Sequence, residues 1–361
     1  MVFTMLLAIA LNGGIVKASF NTEVPVENWE FTSYAIYGDD DEEILGKNVG
    51  GAVYIDGICY FLDTQSGHII KLISEGDFQR ISITGEGPGE CSYPMNIINW
   101  PDPHHIGIFN PHPPLTLVNN IGTCNKWPDD NCPRNFEFGQ MGLGRHILYN
   151  SQADVFVIGL LEFTVTDLKT QRGISHYRTT LFSGNGQRVC NLYQEDKEYQ
   201  PVGNTYPIWW LDSAQRCLTT DSVFLITGET YSINQYSLAG ELIRAIEQEG
   251  YPRRQITPKE AQYYHSDSRY APDLHSLYWV DGRLLVLTSR GLTADNLAFD
   301  CFSFGDKLEL NRVVLPGVKP SPMARYFWLS DDCLAIVYGA IQASMEVSDE
   351  HFIQVYERRR P

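Results

Sequence analysis

The sequence predicts an all-β fold in which small antiparallel sheets repeat around an axis, and three observations predict it. The first is a complete four-strand unit near the N-terminus, between Ala52 and Glu90. The second is the return of its two turns along the rest of the chain. The third is a mismatch of ends: the last copy lacks one strand, and the first copy is preceded by one strand too many. Together they describe a six-bladed β-propeller of four-stranded antiparallel blades, the last blade closed by an N-terminal strand.

The founding unit begins with two apolar runs, Ala52–Ile55 and Ile58–Leu62, joined by Asp56-Gly57. Asp-Gly between β-prone runs marks a tight hairpin, because the primed turn needs positive φ at both positions. A third run, His68–Leu72, leads through Ser74-Glu75-Gly76-Asp77 into a fourth, Phe78–Ile83. Gly85, Glu86, Gly87, Pro88, Gly89 and Glu90 then stop the ladder, since Gly and Pro end strands. This stretch lacks the Lys-Ser/Thr of a phosphate loop and any helix after it, so it reads as a structural turn between blades.

The first hairpin returns in Met95–Phe109, His146–Gly159, Ile208–Gly228, Leu277–Thr288 and Phe327–Gly339. The later bend returns as a glycine followed by a polar residue and a β-run, at Gly76, Gly122, Gly186, Gly240 and Gly305. Glycine suits a bend that needs a left-handed backbone. The second copy, rich in Pro and His, fits the strand template poorly. The sixth stops after Phe352–Tyr356, leaving an exposed edge, and the aromatic strand Trp29–Tyr37 supplies the missing partner. A helical insertion is expected at about 250–273, where Thr257, Pro258 and Glu260 form a helix start and the helix runs to about Tyr264.

Bulk composition fits one large domain over 29–361: of 361 residues, 43% are hydrophobic and 12% aromatic. The net charge of −17 repels phosphate backbones, which argues against nucleic acid as a partner, and keeps the chain soluble; a monomer is expected. Residues 1–18 read as a signal peptide, with an apolar stretch from Val2 to Leu11 too short to span a bilayer and small residues ahead of a cleavage point after Ala18. No Lys or Arg precedes that stretch, and the competing reading is an N-terminal strand. No later run is long enough to cross a membrane, so a secreted or periplasmic protein is expected. Of the eight cysteines, Cys124 and Cys132 bracket a short polar loop and are the expected disulfide. Cys59, Cys217, Cys301 and Cys333 sit in strand runs and read as buried thiols.

The strand Phe78–Ser82 followed by Gly-Glu-Gly-Pro-Gly-Glu and then Pro94 resembles the bacterial secreted six-bladed β-propeller family, related to NHL-repeat and TolB-like propellers. The segment Tyr251–Gln262 extends the resemblance to a late blade. It implies the fold closely and the function loosely: NHL-type relatives bind proteins, sugars or peptides, and a minority are enzymes.

Propellers bind at one end of the central channel. Arg145, His146, Trp209, Trp210, Arg269, Tyr270 and His275 are the candidate ligand-binding residues. The two tryptophans offer a sugar-stacking platform, and equally suit inter-blade core. Tyr263 and Tyr264 join Tyr270 as a possible aromatic lid. His104, His105 and His112 cluster near Asp102, but adjacent histidines in a strand face opposite ways and do not share an ion. No nucleophile elbow, His-Glu-x-x-His helix or triad is visible. The expectation is a non-catalytic module recognising a protein or carbohydrate on one face of the disc, without cofactor. The alternative is a sugar-lactonase-like metal-dependent hydrolase or lyase with a divalent cation such as calcium in the channel, for which Glu162, Asn204, Asp212 and Asp281 have the right chemistry.

Overall fold

A computed structural model describes residues 14–18, 24–37, 49–84 (without 65, 75 and 76), 91, 94–100, 105–109, 115–119, 124–125, 143–167, 172–199, 216–248 (without 228 and 229), 250–256, 270–321 (without 306), 324–338 and 352–360. Their strands form an all-β propeller of four-stranded antiparallel blades. Three N-terminal strands come first: β1 (Gly14–Ala18), β2 (Val26–Asn28) and β3 (Phe31–Tyr37). The first sheet holds β4 (Val49–Ile55), β5 (Ile58–Asp63), β6 (His68–Ser74) and β7 (Asp77–Ser82). The second holds β8 (Asn96–Asn99), β9 (His105–Phe109), β10 (Leu115–Asn119) and the two-residue β11 (Cys124–Asn125). The third holds β12 (Leu143–Asn150), β13 (Val155–Asp167), β14 (Arg172–Ser183) and β15 (Arg188–Tyr199).

The fourth sheet holds β16 (Arg216–Leu218), β17 (Ser222–Ile226), β18 (Ser232–Ser237) and β19 (Leu242–Gln248). The fifth holds β20 (Leu274–Val280), β21 (Arg283–Thr288), β22 (Leu297–Phe304) and β23 (Leu308–Leu315). The sixth holds β24 (Arg325–Ser330), β25 (Cys333–Tyr338) and β26 (Phe352–Arg358), with β3 paired antiparallel to β26. The first strands of the sheets touch in a cycle: β4 meets β8, β8 meets β12, β12 meets β16, β16 meets β20, β20 meets β24, and β24 meets β4.

The turn chemistry explains these hairpins. Asp56-Gly57 has φ of 50° and 83°, and Asp281-Gly282 has 55° and 71°, the primed geometry that only Gly and short polar residues adopt cheaply. Of the five repeated bends, Gly186 and Gly240 are left-handed at 81° and 86°. Gly76 and Gly122 lie outside the described residues. Gly305 departs from the expectation: its φ is not positive, and its N–H donates to the Lys307 carbonyl at 3.3 Å, so the bend closes without a left-handed glycine.

Second strands such as Ile58–Asp63, Ser222–Ile226 and Cys333–Tyr338 are covered on both faces, which is why they are near-continuous buried runs rather than alternating ones. Period-2 geometry sends neighbours to different seams. Phe61 and Cys59 pack toward the sixth sheet, against Ala335, Val337 and Ile353. Tyr60 and Leu62, one position away, pack toward the second, against Ile97, Ile106 and Ile108. Four further apolar clusters fill the seams between sheets two and three, three and four, four and five, and five and six.

The N-terminal segment runs around the outside. β1 lies parallel to β19 with Gly14 opposite Arg244, and β2 parallel to β23 with Val26 opposite Arg312. Trp29 then buries its ring, 2% exposed, before β3 begins. Its indole N–H donates to the Glu27 carboxylate at 2.6 Å, and its ring lies under Arg358 (3.6 Å) and Arg283 (4.9 Å). Gly14–Ala18 is thus a strand in the full chain, although it ends the expected signal peptide. Both the loop of Cys124 and Cys132 and the helix from Thr257 to Tyr264 lie outside what can be described: of these residues only Cys124 is placed, and only by its backbone in β11.

Candidate functional site

The repetition of one sheet type around an axis makes all first strands run the same way along the channel. One face of the disc therefore carries their N-terminal ends, and the other carries the turns that follow them. The first strands carry different residue types at their two ends. At or next to the N-terminal ends stand Arg145 and His146 in β12, Arg216 in β16, His275 in β20 and Arg325 in β24. On the opposite face the turns after the first strands hold Asp56, Asp154, Asp221, Asp281, Asp331 and Asp332.

The basic rim is held by specific contacts. Arg325 donates from Nη1 to the carbonyl of Val49, the first residue of β4, so it bridges the sixth and first sheets. Arg216 donates from Nε to the Thr179 hydroxyl at 2.9 Å. Its guanidinium lies over Gly159, where a Cβ would come within 2.8 Å of Cζ. Gly159 is the ladder partner of both His146 and Thr179, so Arg216 of the fourth sheet rests over the third-sheet position whose backbone pairs with His146. Bulges distinguish two positions: the ladder skips Arg145 between Gly144 and His146, and His275 between Leu274 and Ser276. A bulge re-aims the residue it inserts, a device common at the mouths of sites.

A wall rises beside this rim. β13, β14 and β15 are 13, 12 and 12 residues long, against five to eight for their counterparts in the fourth and fifth sheets. β12 pairs β13 only up to Leu161. The remaining pairing, through Val165–Gly173 and Gly173–Tyr199, continues past the N-terminal end of β12. At ~3.3 Å per residue the six residues after Leu161 extend the third sheet by roughly 20 Å on the rim side. Across the wall His176 Nδ1 meets the Asp196 carboxylate at 2.8 Å and Nε2 meets the Thr164 hydroxyl at 3.0 Å. This chain orients the imidazole and ties three strands together on an exposed surface.

The inserted segment is anchored on the same side, between β19 and β20. Gln255 and Tyr270 form a bridge, the Ala271 amide donates to Arg254 at 2.9 Å, and the Arg290 guanidinium to the Pro252 carbonyl at 2.8 Å. Asp273, 2% exposed, receives the Tyr231 amide at 3.0 Å and Arg253 at 3.3 Å. Arg253 also stacks on the exposed Tyr270 ring at 5.2 Å. Nearby, Asp300 is buried between the fourth and fifth sheets, accepting from Tyr231 and Arg312 at 3.1 Å each. Burial pushes its carboxyl above the ordinary range, against the pull of Arg312.

Of the residues expected from sequence, Arg145 and His146 have their backbones near the start of β12, His275 is the second residue of β20, and Tyr270 lies just before β20. Trp209, Trp210, Arg269, Tyr263 and Tyr264 lie outside the described residues, as do Gly85, Gly87, Pro88, Gly89 and Glu90. That last stretch is flanked by a bridge between Thr84 and Cys91. His105 lies in β9, away from a first strand, while His104, His112 and Asp102 are outside the description. Glu162 has its backbone opposite His176, and Asn204 and Asp212 are not described. Asp281 is on the opposite face, within 3.3 Å of Arg358, 3.6 Å of Arg360 and 3.9 Å of Arg283. Among the described residues no three His, Cys, Asp or Glu side chains group as metal ligands, and no helix is long and apolar enough to cross a membrane. Sequence reasoning passed over Arg216, Arg325 and the wall. The signal for the wall was present: Val155–Asp167 runs 13 residues without a turn residue pair.

An all-β propeller of four-stranded antiparallel blades is the class that the fold defines. No family model matches the chain, and no curated protein does. Among solved structures it is similar to the calcium-binding protein regucalcin of Agrobacterium tumefaciens, at 10% identity and TM-score 0.46 over 93% of this chain and 95% of that one. It is also similar to the aldose sugar dehydrogenase of Streptomyces coelicolor, at 11% and 0.46 over 93% and 100%. A third is the virginiamycin B lyase of Staphylococcus aureus, at 8% and 0.45 over 91% and 99%. These are propeller proteins. The NHL-repeat and TolB-like resemblance gains no support from sequence comparison, and no activity follows from likeness at this level.

Proposed function

We propose that the chain is an exported, six-bladed propeller, clasped shut by β3, that serves as a recognition module for an acidic ligand. The ligand is a glycan or protein segment bearing carboxylate or sulfate groups. It docks on the face bounded by Arg145, His146, Arg216, His275 and Arg325 and walled by the extended third sheet. One observation carries the reading: a chain with a net charge of −17 gathers cations at the N-terminal ends of its first strands and places aspartates at the turns beyond their other ends. Such separation steers an anion to one face. Arginine's planar fork suits carboxylate and sulfate recognition.

The test is an array of acidic and neutral glycans and peptides, followed by calorimetry on any hit with the Arg216→Ala and Arg325→Ala variants. Binding of acidic members only, weakened at least tenfold by either substitution and by raised salt, supports the reading. Binding of neutral members unaffected by both substitutions, or a stoichiometric divalent cation in the purified protein, overturns it.

A further inference from the structure

Cys59 and Cys333 stand at corresponding places in different sheets. Cys59 is the second residue of β5, beside the Asp56-Gly57 turn, and Cys333 is the first of β25, beside the Asp331-Asp332 turn. Alternation along each strand turns both toward the same seam. Cys59 lies with Phe61 on one side, and Cys333 with Ala335 and Val337 on the other. Both are buried free thiols in the one apolar cluster of that seam, each 7% exposed. This seam joins the first described sheet to the last, where the cycle of sheets closes.

We infer that Cys59 and Cys333 form a disulfide that covalently locks the first sheet to the sixth. The inference rests in part on the reading that the chain is exported, because disulfides persist in oxidising compartments. The chemistry is thiol–disulfide exchange with a disulfide donor, either a small-molecule disulfide or a disulfide oxidoreductase. The Cys333 thiolate attacks one donor sulfur and expels a thiolate, leaving a mixed disulfide. The Cys59 thiol gives up its proton and attacks Cys333 Sγ, expelling the second thiolate. Two electrons and two protons pass from the protein to the donor, which leaves as two thiols.

The packed seam excludes a donor, so the bond forms while the sixth sheet is docking.

The experiment refolds the purified chain in a glutathione redox buffer, so that its outcome does not depend on export. Free thiols are then blocked under denaturing conditions without reductant, and the protein is analysed by intact mass and peptide mapping. The expected result is that Cys59 and Cys333 escape blocking and appear together in a cross-linked peptide pair, with thermal stability lowered by a phosphine reductant. The Cys59→Ala/Cys333→Ala double variant should lack the cross-link and lose the response to reductant. Full alkylation of both residues in the refolded wild-type protein, or a cross-link joining either to another cysteine, overturns the inference. If the double variant does not fold, the wild-type peptide map alone decides. A Cys59–Cys333 bond in the refolded chain together with cytosolic residence in cells would sink the export reading and leave this one standing.

Discussion

Replacing Trp29 by alanine tests whether the N-terminal segment holds the molecule shut. Trp29 is 2% exposed and packs in the seam of the fifth and sixth sheets, edge-on to Trp328 at 6.0 Å. Truncating a buried Trp to Ala costs about 3–5 kcal/mol in lost transfer energy and cavity. The ring also lies under two guanidiniums, at 3.6 and 4.9 Å. Each such contact at a partly exposed site adds about 0.5–1 kcal/mol, and contacts that share one ring do not add fully. The total is about 4–6 kcal/mol, a large part of the ~5–15 kcal/mol that keeps a protein folded. Trp29→Phe keeps most of the packing and the aromatic face but removes the N–H donated to Glu27, a loss of about 1–2 kcal/mol. The assay is urea denaturation followed by circular dichroism, with hydrogen exchange on Phe31–Tyr37 and Phe352–Arg358. Trp29→Ala should lower the midpoint severalfold more than Trp29→Phe and deprotect both strands of the β3–β26 ladder. A cost below ~1 kcal/mol with unchanged protection in Phe31–Tyr37 would refute the clasp.

Other outcomes follow from single contacts. Gly159→Ala places a Cβ 2.8 Å from the Arg216 guanidinium, the far end of a flexible side chain, so it should weaken binding of an acidic ligand while leaving the thermal midpoint nearly unchanged. Gly291→Ala places one 2.1 Å from the Ala298 carbonyl oxygen, a backbone atom, and should destabilise by more than ~2 kcal/mol in a urea melt without touching the rim. Glu27 is held below its ordinary 4.5, chiefly by the Arg283 hydrogen bond. Its contribution is therefore complete above about pH 4.5 and fades as pH falls through the depressed folded value, and a Glu27→Gln series from pH 6 to 3 should lose that acid slope. Asp300 has the opposite sign: burial raises it above 3.8, so stability declines as pH climbs from there through the raised value, and Asp300→Asn should flatten that decline. A variant truncated after Ala18 lacks β1, and amides of Arg244–Gln248 should exchange faster in it than in the full chain.

Much of the fold was legible because its signals are local. Asp56-Gly57 and Asp281-Gly282 announce their turns in two residues, and the strands of the first sheet fall within three residues of where the apolar runs place them. The spare strand before the first sheet was visible by its aromatic run, and the structure sets Phe31–Tyr37 beside β26. The site was less legible. His146 and His275 attract notice by chemistry, whereas Arg216 and Arg325 look like ordinary strand starts. Their meaning comes from Gly159 and Val49, which lie 57 and 276 positions away in the chain.

The sequence by itself determined the sheets, because turn residues and two-residue alternation act over a few positions. The tertiary structure alone decided which side chains meet across seams. Cys59 and Cys333 came to share a seam, Trp29 lay under Arg358, and Arg216, His275 and Arg325 came to one face only once the repeated sheets had fixed a common direction for their first strands. Contacts between distant positions depend on how the sheets are arranged in space, and nothing in the residues next to each cysteine or arginine encodes that arrangement.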